Sequence, residues 1–134
     1  MPEVVPPAPS SHTDPCPLVS VIVVNWNGAP YLDACLASVA SQTYPQVEII
    51  VVDNGSTDGS ADTVRRWSEK PNVRIFLLES NTGFTGGNNL AFRHARGEWL
   101  ALLNNDAVAE PDWLAHLVAR GNPTAGIGML GGKI

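Results

Sequence analysis

Cysteine is scarce in this sequence, basic residues are few, and long apolar runs are missing altogether. The 2 cysteines, Cys16 and Cys35, form no CxxC pair and no Cys/His cluster, so neither a disulfide framework nor a zinc site is indicated, and a reducing, cytoplasmic setting fits best. With 8 Lys and Arg against 13 Asp and Glu, the formal net charge is −5. That balance argues against nucleic acid as a partner, because a protein that neutralises phosphates carries a basic patch. No stretch reaches the ~18 consecutive apolar residues of a membrane span, and the N-terminus lacks a basic start followed by an apolar run. Membrane contact is therefore expected to be peripheral, at the inner face of the cell membrane, or to lie outside this chain. A GxGxxG fingerprint is lacking too, which argues against a dehydrogenase. The turn Asn25-Trp26-Asn27-Gly28-Ala29-Pro30 has no Lys or Arg for a triphosphate, which argues against a nucleotidyltransferase.

What is present suits one ordinary domain: 134 residues, 44% of them hydrophobic, enough to bury roughly two-thirds of the unfolded chain's surface. Six of the 11 prolines fall within residues 1–17, a composition that favours an extended, solvated tail. The folded domain is expected over residues 18–134. Residues 18–24 form a β-branched run of the kind found in strands buried on both faces. Helical spacing follows over residues 30–41, with Leu32, Cys35, Leu36 and Val39 inward and Pro30 in the first turn. The alternation continues with strands over 47–52, 73–78 and 99–103, helices over 56–68, 86–96 and 111–119, and the start of another strand over 127–130. Strands alternating with helices imply β-α-β crossovers and a three-layer, Rossmann-like α/β domain with a mostly parallel sheet.

In such a sheet ligands bind beyond the carboxyl ends of the strands. Those ends are unusually polar here: Asn25-Trp26-Asn27, Asp53-Asn54-Gly55-Ser56-Thr57-Asp58, Glu79-Ser80-Asn81-Thr82-Gly83 and Asn104-Asn105-Asp106. Ser56 and Asp58 suit capping of the next helix. Asp53, at the end of an apolar strand, must find a partner or a ligand. Gly83, Gly86 and Gly87 suit either a backbone that approaches a diphosphate, with the amides of Asn88 and Asn89 beside it, or a closely packed helix start. Asp106 between amides suits either an Asx turn or a hard divalent ion shared with a substrate diphosphate. His94 and His116 have no partner at metal-ligand spacing and are read as structural.

Residues 19–27, 52–58, 81–89 and 102–106, taken together and in this order, resemble the inverting nucleotide-sugar glycosyltransferases of family 2, and within it the rhamnosyltransferase branch. The resemblance covers residues 18–134 and implies a GT-A fold that holds a dTDP- or UDP-sugar at its carboxyl edge. It implies that Asn25, Trp26, Asn27, Asn54, Gly83, Asn88, Asn104 and Asn105 line the donor nucleotide site and that Asp53 contacts the base. Asp106 matches the last aspartate of the family's Asp-x-Asp metal motif, for Mg²⁺ or Mn²⁺. The sequence departs from the family pattern where Asn104 replaces the first aspartate and where Asn88 stands in place of a common arginine. The resemblance further implies sugar transfer, with inversion, to a glycan or lipid-linked acceptor. Family members are generally longer, and their general base comes from the second half. The chain is therefore expected to be the donor-binding half, with no catalytic base of its own and no transfer activity alone. The alternative is a nucleotide-sugar-binding module that does no chemistry.

Overall fold

The computed structural model describes residues 16–121, so the expected strand over 127–130 and nearly all of the proline-rich tail lie outside the described residues. Four strands alternate with four helices: β1 (Val19–Asn25), α1 (Ala29–Ala40), β2 (Val47–Asp53), α2 (Ser60–Trp67), β3 (Val73–Leu77), α3 (Gly83–His94), β4 (Trp99–Leu102) and α4 (Trp113–Arg120). The strands form one sheet in the order β3-β2-β1-β4, with every neighbouring pair parallel. The chain thus works outward from β1 to β3 and then returns to the other side of β1, which puts the topological switch point between β1 and β4. In open parallel sheets ligands bind at such a point, beyond the carboxyl ends of the strands.

Strand residues alternate between two apolar layers, as the period-two geometry requires. Val19, Val21 and Val23 of β1, Ile49 and Val51 of β2 and Ala101 of β4 pack with Leu32, Cys35, Leu36 and Val39 of α1, Val64 of α2 and Leu114 of α4. On the opposite face, Ile22, Ile50 and Val52 pack with Ala91 of α3. Complete burial of side chains such as Leu32 and Leu36 contributes about 1.5–3 kcal/mol each. The second layer is thinner. Leu100 and Leu102 of β4 lie in register with Ser20 and Ile22 on that face, yet they remain 47% and 49% exposed.

At the amino end of the sheet, away from the switch point, a buried carboxylate closes the fold. Glu48 Oε1 accepts hydrogen bonds from Ser20 Oγ (2.5 Å) and from the Arg96 N–H (2.6 Å), and Oε2 pairs with Arg74 Nη2 at 3.1 Å. Ser20 Oγ also accepts the Gly97 N–H. This cluster pins the turn between α3 and β4 beneath the sheet.

Two helix starts differ from the sequence reading by three residues or more. The second helix begins at Ser60 and not at residue 56, because Ser56 is drawn back onto the strand ends and Gly59 takes a left-handed conformation, φ 90°. Helix α3 begins at Gly83, three residues ahead of the expected start, because side chains of the preceding loop hold its first turn.

Candidate functional site at the carboxyl edge

The polar strand ends are knitted into one hydrogen-bonded floor. Asn25 and Asp53 are register partners on β1 and β2, and both side chains are buried. Asn25 Nδ2 donates to Asp53 Oδ1 (3.0 Å) and to Ser56 Oγ (3.2 Å), while the Ser56 hydroxyl donates to Asp53 Oδ1 (2.7 Å) and its N–H to Oδ2 (3.1 Å). Ser56 is therefore not a helix cap. Its hydroxyl links Asp53, Asn25 and the Asn27 N–H. Asn27 itself adopts a left-handed conformation, φ 50°, which an asparagine tolerates, and its Oδ1 accepts the Thr57 N–H. The loops after β1 and β2 are thus bonded to each other in both directions.

Asp58 does serve helix starts, although from outside the first turn. Its Oδ1 accepts the N–H and hydroxyl of Ser60, its Oδ2 the N–H of Ala29, and these bonds hold its carboxyl below the ordinary aspartate value. One carboxylate therefore fixes the starts of both α1 and α2.

Asn54 ties in the third segment. Its Oδ1 accepts the Thr82 N–H and hydroxyl at 2.8 and 2.9 Å, and its Nδ2 donates to the Gly83 carbonyl at 2.9 Å. Gly55, at φ 78°, lies so close to the Ser80 backbone that a Cβ would come within 2.7 Å of it. Asn88 is buried, and its amide donates to the carbonyl of Phe84 one turn earlier, so it braces the first turns of α3.

The fourth segment is held from two sides. Asn105 Nδ2 donates to Asn25 Oδ1 at 2.9 Å, and the buried Cys35 thiol of α1 donates to the Asn104 carbonyl at 3.3 Å. Burial, and then the negative charge of Asp106, push the Cys35 thiol up to about 11. The loop thus places the Asp106 carboxylate near α1 with its own side chain exposed, next to an exposed Asn104. Above this floor stand two large apolar side chains that the fold leaves open, Trp26 (54% exposed) and Phe84 (62%).

All the strand-end residues expected at a site converge on this edge. Sequence reasoning missed the linking role of Ser56, the Cys35 prop and the Asn105 contact, none of which has a local sequence signal. His94 and His116 lie apart from the edge, His94 stacked on Phe76 (ring centroids 4.6 Å apart) and His116 beside Asp112.

Among the described residues no three His, Cys, Asp or Glu side chains are grouped to hold a metal ion. The donor types at residues 104–106 nevertheless suit a hard divalent cation: an exposed carboxylate and, two residues earlier, an exposed carboxamide, in a chemistry where substrate phosphate oxygens commonly supply further ligands. No Lys or Arg lies among residues 25–28, 53–58, 79–83 or 104–106, so these four loop segments themselves offer a diphosphate no fixed cation.

The family model described as "Glycosyl transferase family 2" matches residues 20–122. Over 125 residues the chain is 34% identical to Glycosyltransferase AglE of Haloferax volcanii, covering 91% of this chain and 41% of that protein. It is 35% identical over 104 residues to an uncharacterized glycosyltransferase of Haemophilus influenzae, covering 77% of this chain and 32% of that one. The chain therefore spans only 32% and 41% of the length of these two relatives. Among solved structures it resembles S. aureus TarS 1-349 in complex with UDP, with a TM-score of 0.70 at 31% identity over 76% of this chain and 31% of that one. It also resembles the mannosyltransferase PcManGT from Pyrobaculum calidifontis in complex with GDP-Man and Mn²⁺, with a TM-score of 0.75 at 34% identity over 92% of this chain and 37% of that one. The parallel sheet and its helices are thus the GT-A architecture of these enzymes, and the chain belongs to glycosyl transferase family 2.

Proposed function

We propose that the carboxyl edge binds the nucleoside diphosphate portion of a sugar donor, as part of an enzyme that transfers the sugar to a glycan or lipid-linked acceptor with inversion. The observation that carries this reading is the joining of all four polar strand ends into one floor at the switch point, with Trp26 and Asp106 exposed above it. Structures similar to this chain hold UDP or GDP-Man. Trp26 offers an aromatic face for the base. Asp53 Oδ2 accepts one hydrogen bond, from Ser56, and so retains capacity for a base N–H. The backbone at the start of α3 and the amide of Asn54 shape the wall between base and diphosphate.

Asp106, with the Asn104 oxygen beside it, would hold the divalent ion. That ion, when bound with the donor, neutralises charge on the departing diphosphate. The comparison with the mannosyltransferase, whose structure contains Mn²⁺, supports this assignment. No carboxylate of the edge is assigned as general base: Asp53 is committed to the floor, Asp58 to the helix starts, and Asp106 to the leaving-group side. The motif text of residues 19–27, 52–58, 81–89 and 102–106, taken together, resembles the rhamnosyltransferase branch and is the ground for proposing rhamnose or a similar hexose as the sugar.

Calorimetric titration of the chain with UDP, dTDP and GDP, each with and without Mn²⁺, tests the reading. Saturable binding of at least one diphosphate, strengthened by Mn²⁺, is expected. Failure of all three to bind would overturn it.

A further inference from the structure

Asn105 is the only residue of its loop whose side chain reaches into the floor among the hydrogen bonds of the described residues, and its partner Asn25 is fully buried. The amide group of Asn25 is fixed by its other contacts, since Nδ2 is committed to Asp53 and Ser56 and its Oδ1 is thereby turned toward β4. Gly28 makes the contact sterically feasible. A Cβ on Gly28 would overlap Asn105 Nδ2 and come within 2.5 Å of Asn25 Oδ1. The φ of Gly28 is −105°, open to any residue, so glycine serves here by the space it leaves and not by its backbone freedom.

We propose that Asn105 is a positioning residue: by donating to Asn25 across the bare backbone of Gly28, it fixes the loop that presents Asp106 and couples the ion-and-diphosphate end of the site to the base end. The inference rests on the nucleotide-binding reading given above and adds to it a route between the two ends. Cys35 holds the same loop through the Asn104 carbonyl, so the backbone is pinned on one side of Asp106's neighbour and the side chain of Asn105 on the other. With Asn105 unlatched, Asp106 keeps its charge and loses its place relative to the floor.

The test uses two variants that break the same contact by different means. Asn105→Leu keeps the volume and removes the donor; Gly28→Ala keeps the donor and fills its space. Titrations of the chain with uridine, with UDP alone and with UDP plus Mn²⁺ are compared with the parent, and circular dichroism confirms that each variant is folded. Each variant is expected to lose about tenfold of the Mn²⁺-dependent gain in UDP affinity, the scale of one lost hydrogen bond, a larger loss than any in uridine binding. The double variant should lose no more than either single one, because both remove the same contact. A Mn²⁺ gain in both folded variants equal to the parent's would overturn the coupling and leave the nucleotide-binding reading standing. Absence of UDP binding in the parent would overturn that reading and the coupling with it.

Discussion

Asn25 and Asp53, side by side at the ends of adjacent strands, are joined by a 3.0 Å hydrogen bond in which the carboxylate orients the carboxamide. Because Asn25 then accepts from Asn105, the order of the whole edge traces back to this pair. Replacing Asp53 with Ala removes one of the two acceptors of Asn25 Nδ2 and the acceptor of the Ser56 hydroxyl. Asp53→Ala is expected to weaken nucleoside diphosphate binding by about 1–3 kcal/mol, read by calorimetry on folded protein. Equal affinity in variant and parent would sink the role given to this carboxylate.

Glu48 gives a pH-dependent prediction. Burial alone would raise its carboxyl, but donation from Ser20, the Arg96 N–H and Arg74 outweighs burial and holds it below the ordinary value of 4.5. A carboxyl lowered in the folded state contributes stability that is present above its unfolded value and is lost as pH falls through the folded one. Glu48→Gln should therefore destabilise the chain at neutral pH by about 1–3 kcal/mol and flatten the loss of stability below pH 4.5. Parallel stability curves for parent and variant across that range, from urea unfolding, would contradict the assignment.

Cys35 works in the opposite direction. Its thiol is raised from 9.0 to about 11, first by burial and then by the charge of Asp106. Stability from the neutral thiol is fully present below pH 9.0 and is lost as pH rises toward about 11, so Cys35→Ala should remove that alkaline decline. The same burial should make the thiol slow to alkylate at pH 8 in folded protein and reactive once urea unfolds it. Rapid alkylation of Cys35 in the native state, read by peptide mass spectrometry, would show that the prop beneath Asn104 is not in place.

A fourth expectation concerns Gly55, whose φ of 78° and 2.7 Å clearance from the Ser80 backbone leave no room for a side chain. Gly55→Ala should cost about 1–3 kcal/mol in urea unfolding, through left-handed strain and displacement of the loop after β3. A variant as stable as the parent would mean that the two loops are not packed as described.

Much of this was legible in the sequence because the signals are local. The β-branched run of β1, the apolar spacing of α1 and the polar text after each strand each depend on neighbours in the chain. The α2 start was misplaced because Ser56 is a good capping residue whose hydroxyl is claimed instead by Asp53 and Asn25, the latter 31 positions away. The start of α3 differs because Asn81 of the preceding loop and Asn54, in the loop after β2, supply bonds that hold its first residues. The Asn105 to Asn25 contact spans 80 positions, and no periodicity carries such a pairing; only the sheet order, with β4 beside β1, creates it.

On this reading the edge binds a nucleoside diphosphate through a base floor and, joined to it by Asn105, the Asp106 carboxylate that would hold the ion. Titration of Asp106→Asn with uridine and with UDP, in the presence and absence of Mn²⁺, tests it most directly. The account predicts unchanged uridine binding and loss of the Mn²⁺-dependent gain in UDP affinity. A Mn²⁺ gain that survives the substitution at its parental size would contradict it and place the ion elsewhere.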